Sequence, residues 1–194
     1  VSPSRLEEVL MRLAREVGPE STARRERVAL IGLRGAGKST LGDLYARELN
    51  VPFIELDREV EREAGLPLAE IFSMYGQGGF RTLERRCLER ILDDSPRAVI
   101  AVGGGIVGES ETFEMLLGKC YTVWLRASPE EHMDRVIAQG DLRPMAHSSE
   151  AMRELKHLLK MRESGYQKAD VSVDTAGLTV EAALARLRAA ANRH

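Results

Sequence analysis

The segment RVALIGLRGAGKSTLGDLYAREL, residues 27–49, restricts what this chain can fold into more than any other. RVALIGL reads as a buried strand and STLGDLYAREL as a helix. Between them Gly32-Leu33-Arg34-Gly35-Ala36-Gly37-Lys38-Ser39 matches GxxxxGK[ST]. The glycines let successive backbone N–H groups turn inward around a phosphate, and the helix N-terminus adds partial positive charge there. Lys38 reaches the β and γ phosphates, and the Ser39 hydroxyl suits a Mg²⁺ ion. Gly32, Gly35, Ala36, Gly37, Lys38, Ser39 and Thr40 are therefore the candidate phosphate-binding residues. The motif does not say what accepts a phosphoryl group.

Downstream, short apolar runs alternate with helical patterns. Strands are expected at PFIEL, at AVIAVGG (98–104), at YTVWLRA (121–127) and at DVSVD (170–174). Helices are expected around 58–75, 79–92, 110–117, 129–138, 149–163 and 179–191. This is the pattern of an α/β fold, a five-stranded parallel sheet with helices on both faces. Residues 4–17 carry Leu6, Val9, Leu10, Leu13 and Val17 at helical spacing. Gly18, Pro19 and a charged run follow, so residues 1–26 read as a helical arm and linker, able to pack on the main domain or on a second copy of itself, and 27–194 as the main domain. The first residue, Val1, suggests a piece of something longer.

At 194 residues the chain can bury a core without metals or disulfides. No apolar run approaches the roughly 18 residues of a membrane span. A formal net charge of −2 gives no electrostatic case for nucleic acid. Cys87 and Cys120 stand apart without a CxxC pattern, which fits free thiols in a reducing cytoplasm. His132, His147, His157 and His194 lack metal-binding spacing and read as surface or structural residues.

Acceptor chemistry must come from the other loops at the C-terminal edge of the sheet. Glu55 and Asp57 end the second strand two residues apart, on one face if the extended conformation persists; Asp57 could equally cap the helix that follows. Phe80-Arg81 and Glu84 follow an expected glycine-rich turn, Gly76-Gln77-Gly78-Gly79. Gly103-Gly104-Gly105 ends the third strand, where bare backbone permits close approach of a ligand. Arg143-Pro144 lies in a short polar segment, and Arg162, Tyr166 and Ala169 precede the last strand.

This ordered set resembles the shikimate kinase family from residue 27 to about 190. The resemblance implies a nucleoside-monophosphate-kinase-like P-loop fold, ATP with Mg²⁺, and transfer of the γ-phosphate to the 3-hydroxyl of shikimate. It implies that Asp57 orients and deprotonates the hydroxyl and that Arg81 and Arg162 clamp the carboxylate. Gly103, Gly104 and Gly105 would form the ring-binding turn, Arg143 the lid arginine, Arg135 an adenine-stacking residue, and Ser39 the metal ligand. Glu55, where the family has aspartate, would stand in the metal's outer shell.

The wording GLRGAGKSTLG, MYGQGGFRTLE, WLRASPEEHM and AQGDLRPMA is also similar to the C-terminal domain of benzoyl-CoA-responsive transcriptional regulators. That resemblance implies an effector-sensing domain whose phosphate-bearing ligand is benzoyl-CoA and whose DNA reader lies outside this chain. The sensor is the leading expectation, and an active shikimate kinase the alternative.

Overall fold

The computed structural model describes residues 9–10, 23–138 and 148–191. Five strands, β1 (Arg27–Ile31), β2 (Phe53–Glu55), β3 (Ala98–Ala101), β4 (Tyr121–Arg126) and β5 (Val171–Asp174), form one sheet. Its order is β2-β3-β1-β4-β5, and every pair is parallel. The chain crosses from one side of β1 to the other after β3, so the C-terminal end of β1 lies at the topological switch point. Ligands of such sheets gather there.

Alternation along each strand divides the core in two. Ala29 and Ile31 of β1 and Ile100 of β3 face one cluster, packed under α2 (Leu56–Ala64), α3 (Leu68–Asp94) and α4 (Ser110–Lys119). Val28, Leu30 and Val99 face the other, under α1 (Lys38–Leu49) and α7 (Val180–Ala191). Fully burying a side chain of this size contributes about 1.5–3 kcal/mol, so the sheet is fixed from both faces. Helices α5 (Pro129–Ala138) and α6 (Ser148–Tyr166) and a 3-10 turn (Ile106–Gly108) are also described.

The expected helix over 58–75 is instead two helices. Gly65, at φ 66°, ends α2, and Pro67 holds an extended backbone immediately before α3. The expected glycine-rich turn at 76–79 is realised as a break at a single residue. Gly76 alone leaves helical geometry, at φ 66° and ψ −174°, and α3 runs on through Gly78 and Gly79 as a kinked helix. With Phe72 and Phe80 packed at 4.5 Å across the kink, packing outweighs the poor helix propensity of glycine.

At the N-terminal edge of the sheet, Arg24 is buried and makes two bonds. Its Nε donates to the Leu117 carbonyl at 2.7 Å and its Nη2 to Asp170 Oδ2 at 2.6 Å. The same Asp170 oxygen accepts from the Thr122 backbone N–H and from its hydroxyl, both at 2.7 Å. The expected arm over 4–17 lies largely outside the described residues; Val9 and Leu10 are helical and exposed. Among the described residues no helix is long and apolar enough to cross a membrane. Cys87 and Cys120 are both free and buried.

Candidate active site

The loop after β1 is shaped by what lies beneath it. Gly35 takes φ 80°, and a Cβ there would stand 2.7 Å from the His132 carbonyl, so only glycine fits. His132, almost fully buried in the first turns of α5, meets the Arg34 carbonyl through Nδ1 at 2.9 Å. Desolvation lowers its pKa, so the ring is neutral at pH 7 and adds no charge against Lys38. His132 is thus a structural histidine, as expected, and the part it secures is the phosphate loop.

Lys38 turns back on that loop, donating to the Gly32 carbonyl at 2.7 Å and the Leu33 carbonyl at 3.0 Å. Desolvation lowers its pKa to about 8, against the raising influence of Asp57 and Glu55. Ser39 Oγ bonds Glu55 Oε1, so the expected metal ligand and its expected outer-shell partner are already adjacent. Both offer oxygen, which suits a hard cation that keeps most of its coordination for water and phosphate. Among the described residues no cluster of three or more His, Cys, Asp or Glu side chains could hold a metal alone.

Asp57 does not lie on a strand. β2 ends at Glu55, and Asp57 falls in the first turn of α2, whose N-cap position is Glu55 without a side-chain cap bond. Both the same-face argument and the N-cap alternative for Asp57 are therefore corrected. The two carboxylates still line one cavity of about 560 Å³ with Gly35, Lys38, Glu61 and Gly103. Asp57 Oδ1 is buried with no hydrogen-bond partner, and a Cβ placed on Gly103 would stand 3.2 Å from it. Burial raises the Asp57 pKa, and Lys38 opposes the rise.

Arg81 and Arg162 converge on the glycine turn. A Cβ on Gly105 would meet Arg81 Nη2 at 2.3 Å and Arg162 Nη2 at 3.5 Å, so the backbone is bare where two guanidinium groups meet. Arg81 Nη1 donates to Glu84 Oε2 at 2.6 Å; Glu84 is fully buried, and burial raises its pKa. Tyr166 donates to the Gly104 carbonyl at 2.8 Å and stacks on Trp124 with ring centroids 5.4 Å apart. Burial raises the Tyr166 pKa, which keeps the hydroxyl protonated as that donor.

Arg135 lies beyond the loop, donating to the Gly35 carbonyl at 3.1 Å and lining a second cavity of about 240 Å³ with Ala36, Thr40, Thr175 and Leu178. Two residues were not singled out beforehand. Glu131 forms a reciprocal cap with Ser128 and accepts the Gly177 N–H at 2.9 Å, tying α5 to the wall of the second cavity. Its Ser-x-x-Glu spacing was a readable signal. Glu109, 3.2 Å from Arg81 Nε, had none. Arg143, His147 and His194 lie outside the described residues, and His157 is exposed.

The shikimate kinase family model matches residues 34–191. The chain belongs to the shikimate kinase family. A shikimate kinase of Zymomonas mobilis is 38% identical over 148 residues, covering 76% of this chain and 83% of that protein. One from Caulobacter vibrioides is 37% identical over 171 residues, covering 86% and 84%. Among solved structures, the shikimate kinase of Bacteroides thetaiotaomicron superposes with a TM-score of 0.74 at 32% identity, covering 84% of this chain and 96% of that one. The Acinetobacter baumannii shikimate kinase in complex with shikimate gives 0.74 at 28%, covering 92% and 96%.

These relatives overturn the leading functional expectation. Proteins alike over three quarters or more of the chain are named shikimate kinase, which favours the kinase alternative over the regulator's sensor domain. The comparisons do not show the benzoyl-CoA effector or the detached DNA reader. The pairing of two copies through the N-terminal helix concerns residues largely outside those described.

Proposed function

We propose that this shikimate kinase family member transfers the terminal phosphoryl group of ATP to a hydroxyl of shikimate. One observation carries the reading: the unpartnered Asp57 Oδ1 lies beside Gly103 in the cavity that also holds Lys38, while two guanidinium groups converge on the adjoining Gly105. A phosphate loop, a base and an anion clamp therefore adjoin one another. The acceptor's carboxylate would be held by Arg81 and Arg162, whose planar forks match its two oxygens. That grip presents the ring hydroxyl to Asp57, with the turn's backbone against the ring.

In the transfer, the hydroxyl oxygen bonds to the γ phosphorus as the bond from that phosphorus to the β–γ bridging oxygen breaks. Asp57 takes the hydroxyl proton, and ADP is the leaving group. Desolvation makes Asp57 a stronger base than a solvated aspartate, and the charge of Lys38 keeps it ionised enough to act. Lys38 would leave the Gly32 and Leu33 carbonyls for the phosphate oxygens and neutralise the charge that builds on them. Ser39, with Glu55 behind it, would hold Mg²⁺, which when bound neutralises the β and γ phosphates. The adenine would lie in the cavity edged by Arg135 and Leu178. The lid role of Arg143 rests on its place in the sequence.

The test is a coupled assay for ADP release with shikimate, ATP and Mg²⁺. Shikimate-dependent turnover is expected, with Asp57→Asn lowering kcat at least about 100-fold and moving the shikimate KM only a few-fold. Since the protonated base is inactive and the Asp57 pKa is raised in the free protein, kcat/KM for shikimate should fall on the acid side at a pH above the ordinary aspartate range. No shikimate-dependent ADP release from the wild-type protein at saturating Mg²⁺ ends this reading.

A further inference from the structure

Three sides of the Arg81 guanidinium meet different surroundings. Nη1 donates to Glu84 Oε2 at 2.6 Å. Nε stands 3.2 Å from Glu109 Oε1, yet its buried N–H is not aimed well enough to count as hydrogen-bonded. Nη2 faces the turn at Gly105. A carboxylate can fork onto a guanidinium along the Nη1/Nη2 edge or along the Nε/Nη2 edge. Glu84 already engages Nη1, one of the two nitrogens of the first edge. It is completely buried, and pulling it away would leave a charge without a partner in the core. Glu109 covers the second edge but is 35% exposed, so its carboxylate can turn out into water at little cost.

The backbone of Glu109 does not have to move for that. Its N–H donates to the Ile106 carbonyl at 3.0 Å and its carbonyl accepts from the Phe113 N–H at 2.8 Å, fixing the residue at the start of α4. Only the side chain is free to change place.

We infer that Glu109 is a displaceable counter-ion that moderates the affinity of the acceptor site for carboxylates. An acceptor carboxylate takes the Nε/Nη2 edge of Arg81 by expelling Glu109, and a ligand without that charge leaves the pair in place. Glu109 thereby weakens the binding of acidic acceptors, because each must exchange one ion pair for another. It also keeps Arg81 neutralised while the site is empty. This rests on the kinase reading for the identity of the acceptor, and on the Arg81 geometry for the role of Glu109.

The experiment compares wild type with Glu109→Gln, which keeps the side chain's size and removes its charge. Shikimate and shikimate methyl ester are the two probes, with binding measured by calorimetry and turnover by ADP release. The shikimate KM and Kd should fall about two- to fivefold in the variant, the size expected for a half-exposed ion pair. The ATP KM and the Kd of the methyl ester should stay unchanged, and Glu109→Asp should retain most of the wild-type behaviour. Unchanged or weaker shikimate binding in an active Glu109→Gln enzyme overturns the inference and leaves the kinase reading standing. An equal gain for the ester overturns it too, since a neutral ligand has no use for the vacated edge. If wild type binds shikimate without phosphorylating it while the variant binds more tightly, the counter-ion role holds and the kinase reading fails. If neither protein binds shikimate, both fall.

Discussion

Lys38 serves the ligand at the expense of the empty protein. Its ammonium is desolvated beneath the loop, and the two carbonyl bonds do not restore what water supplied, since its pKa lies at about 8 against an ordinary 10.5. The native state therefore holds the proton less tightly than the unfolded chain. Below pH 8 both states are protonated and the whole penalty is present. Between 8 and 10.5 the native state sheds the proton first, so stability from this group rises with pH, and above both values the penalty is gone. Lys38→Met should then raise the stability of the ligand-free protein by on the order of 1 kcal/mol at pH 7, an advantage that shrinks towards pH 10, while nucleotide binding is lost. Urea unfolding at both pH values, with calorimetry for ATP, checks the two halves. Lys38 was legible from its motif alone. Glu84, three residues beyond Arg81 on the expected helix over 79–92, was within reach of a sequence reading; Glu109 was not, since only the fold brings it to that guanidinium.

Among the elements, α1 and β2 meet at a close junction. A Cβ on Gly42 would stand 2.4 Å from the Phe53 ring and 3.1 Å from Leu30, so the helix lies on the sheet at a distance only a bare backbone permits. Gly42→Ala must push the helix or the ring aside and should cost about 1–3 kcal/mol by chemical denaturation. It should also raise the ATP KM, because Lys38 and Ser39 are the first residues of that helix. Strand and helix order was readable at this scale because hydrophobic period survives in a single sequence. The strand signal around Asp57 failed, because the packing of α2 on the sheet overrides it, whereas the turn signal at Gly76 to Gly79 survives as a one-residue kink in α3.

Across the whole molecule, stability and chemistry occupy opposite edges of the sheet. The phosphate loop, Asp57 and the glycine turn lie beyond the C-terminal ends of the strands, while Arg24, Asp170 and Thr122 close the N-terminal edge. Arg24→Ala leaves Asp170, 10% exposed, without its counter-ion, so it should cost about 3–5 kcal/mol and lower Tm by roughly 6 °C or more. The KM values for ATP and shikimate should be unchanged in the protein that remains folded, measured well below its Tm. Of this arrangement the sequence showed the parallel sheet and the active edge, but it placed the domain's start at Arg27 and so passed over Arg24. The Tyr166 hydroxyl that fastens the Gly104 carbonyl belongs to the ring stacked on Trp124, the chain's single tryptophan. The protein thus carries its own fluorophore one aromatic ring away from the glycine turn, and a ligand seated on that turn should change the emission of the indole.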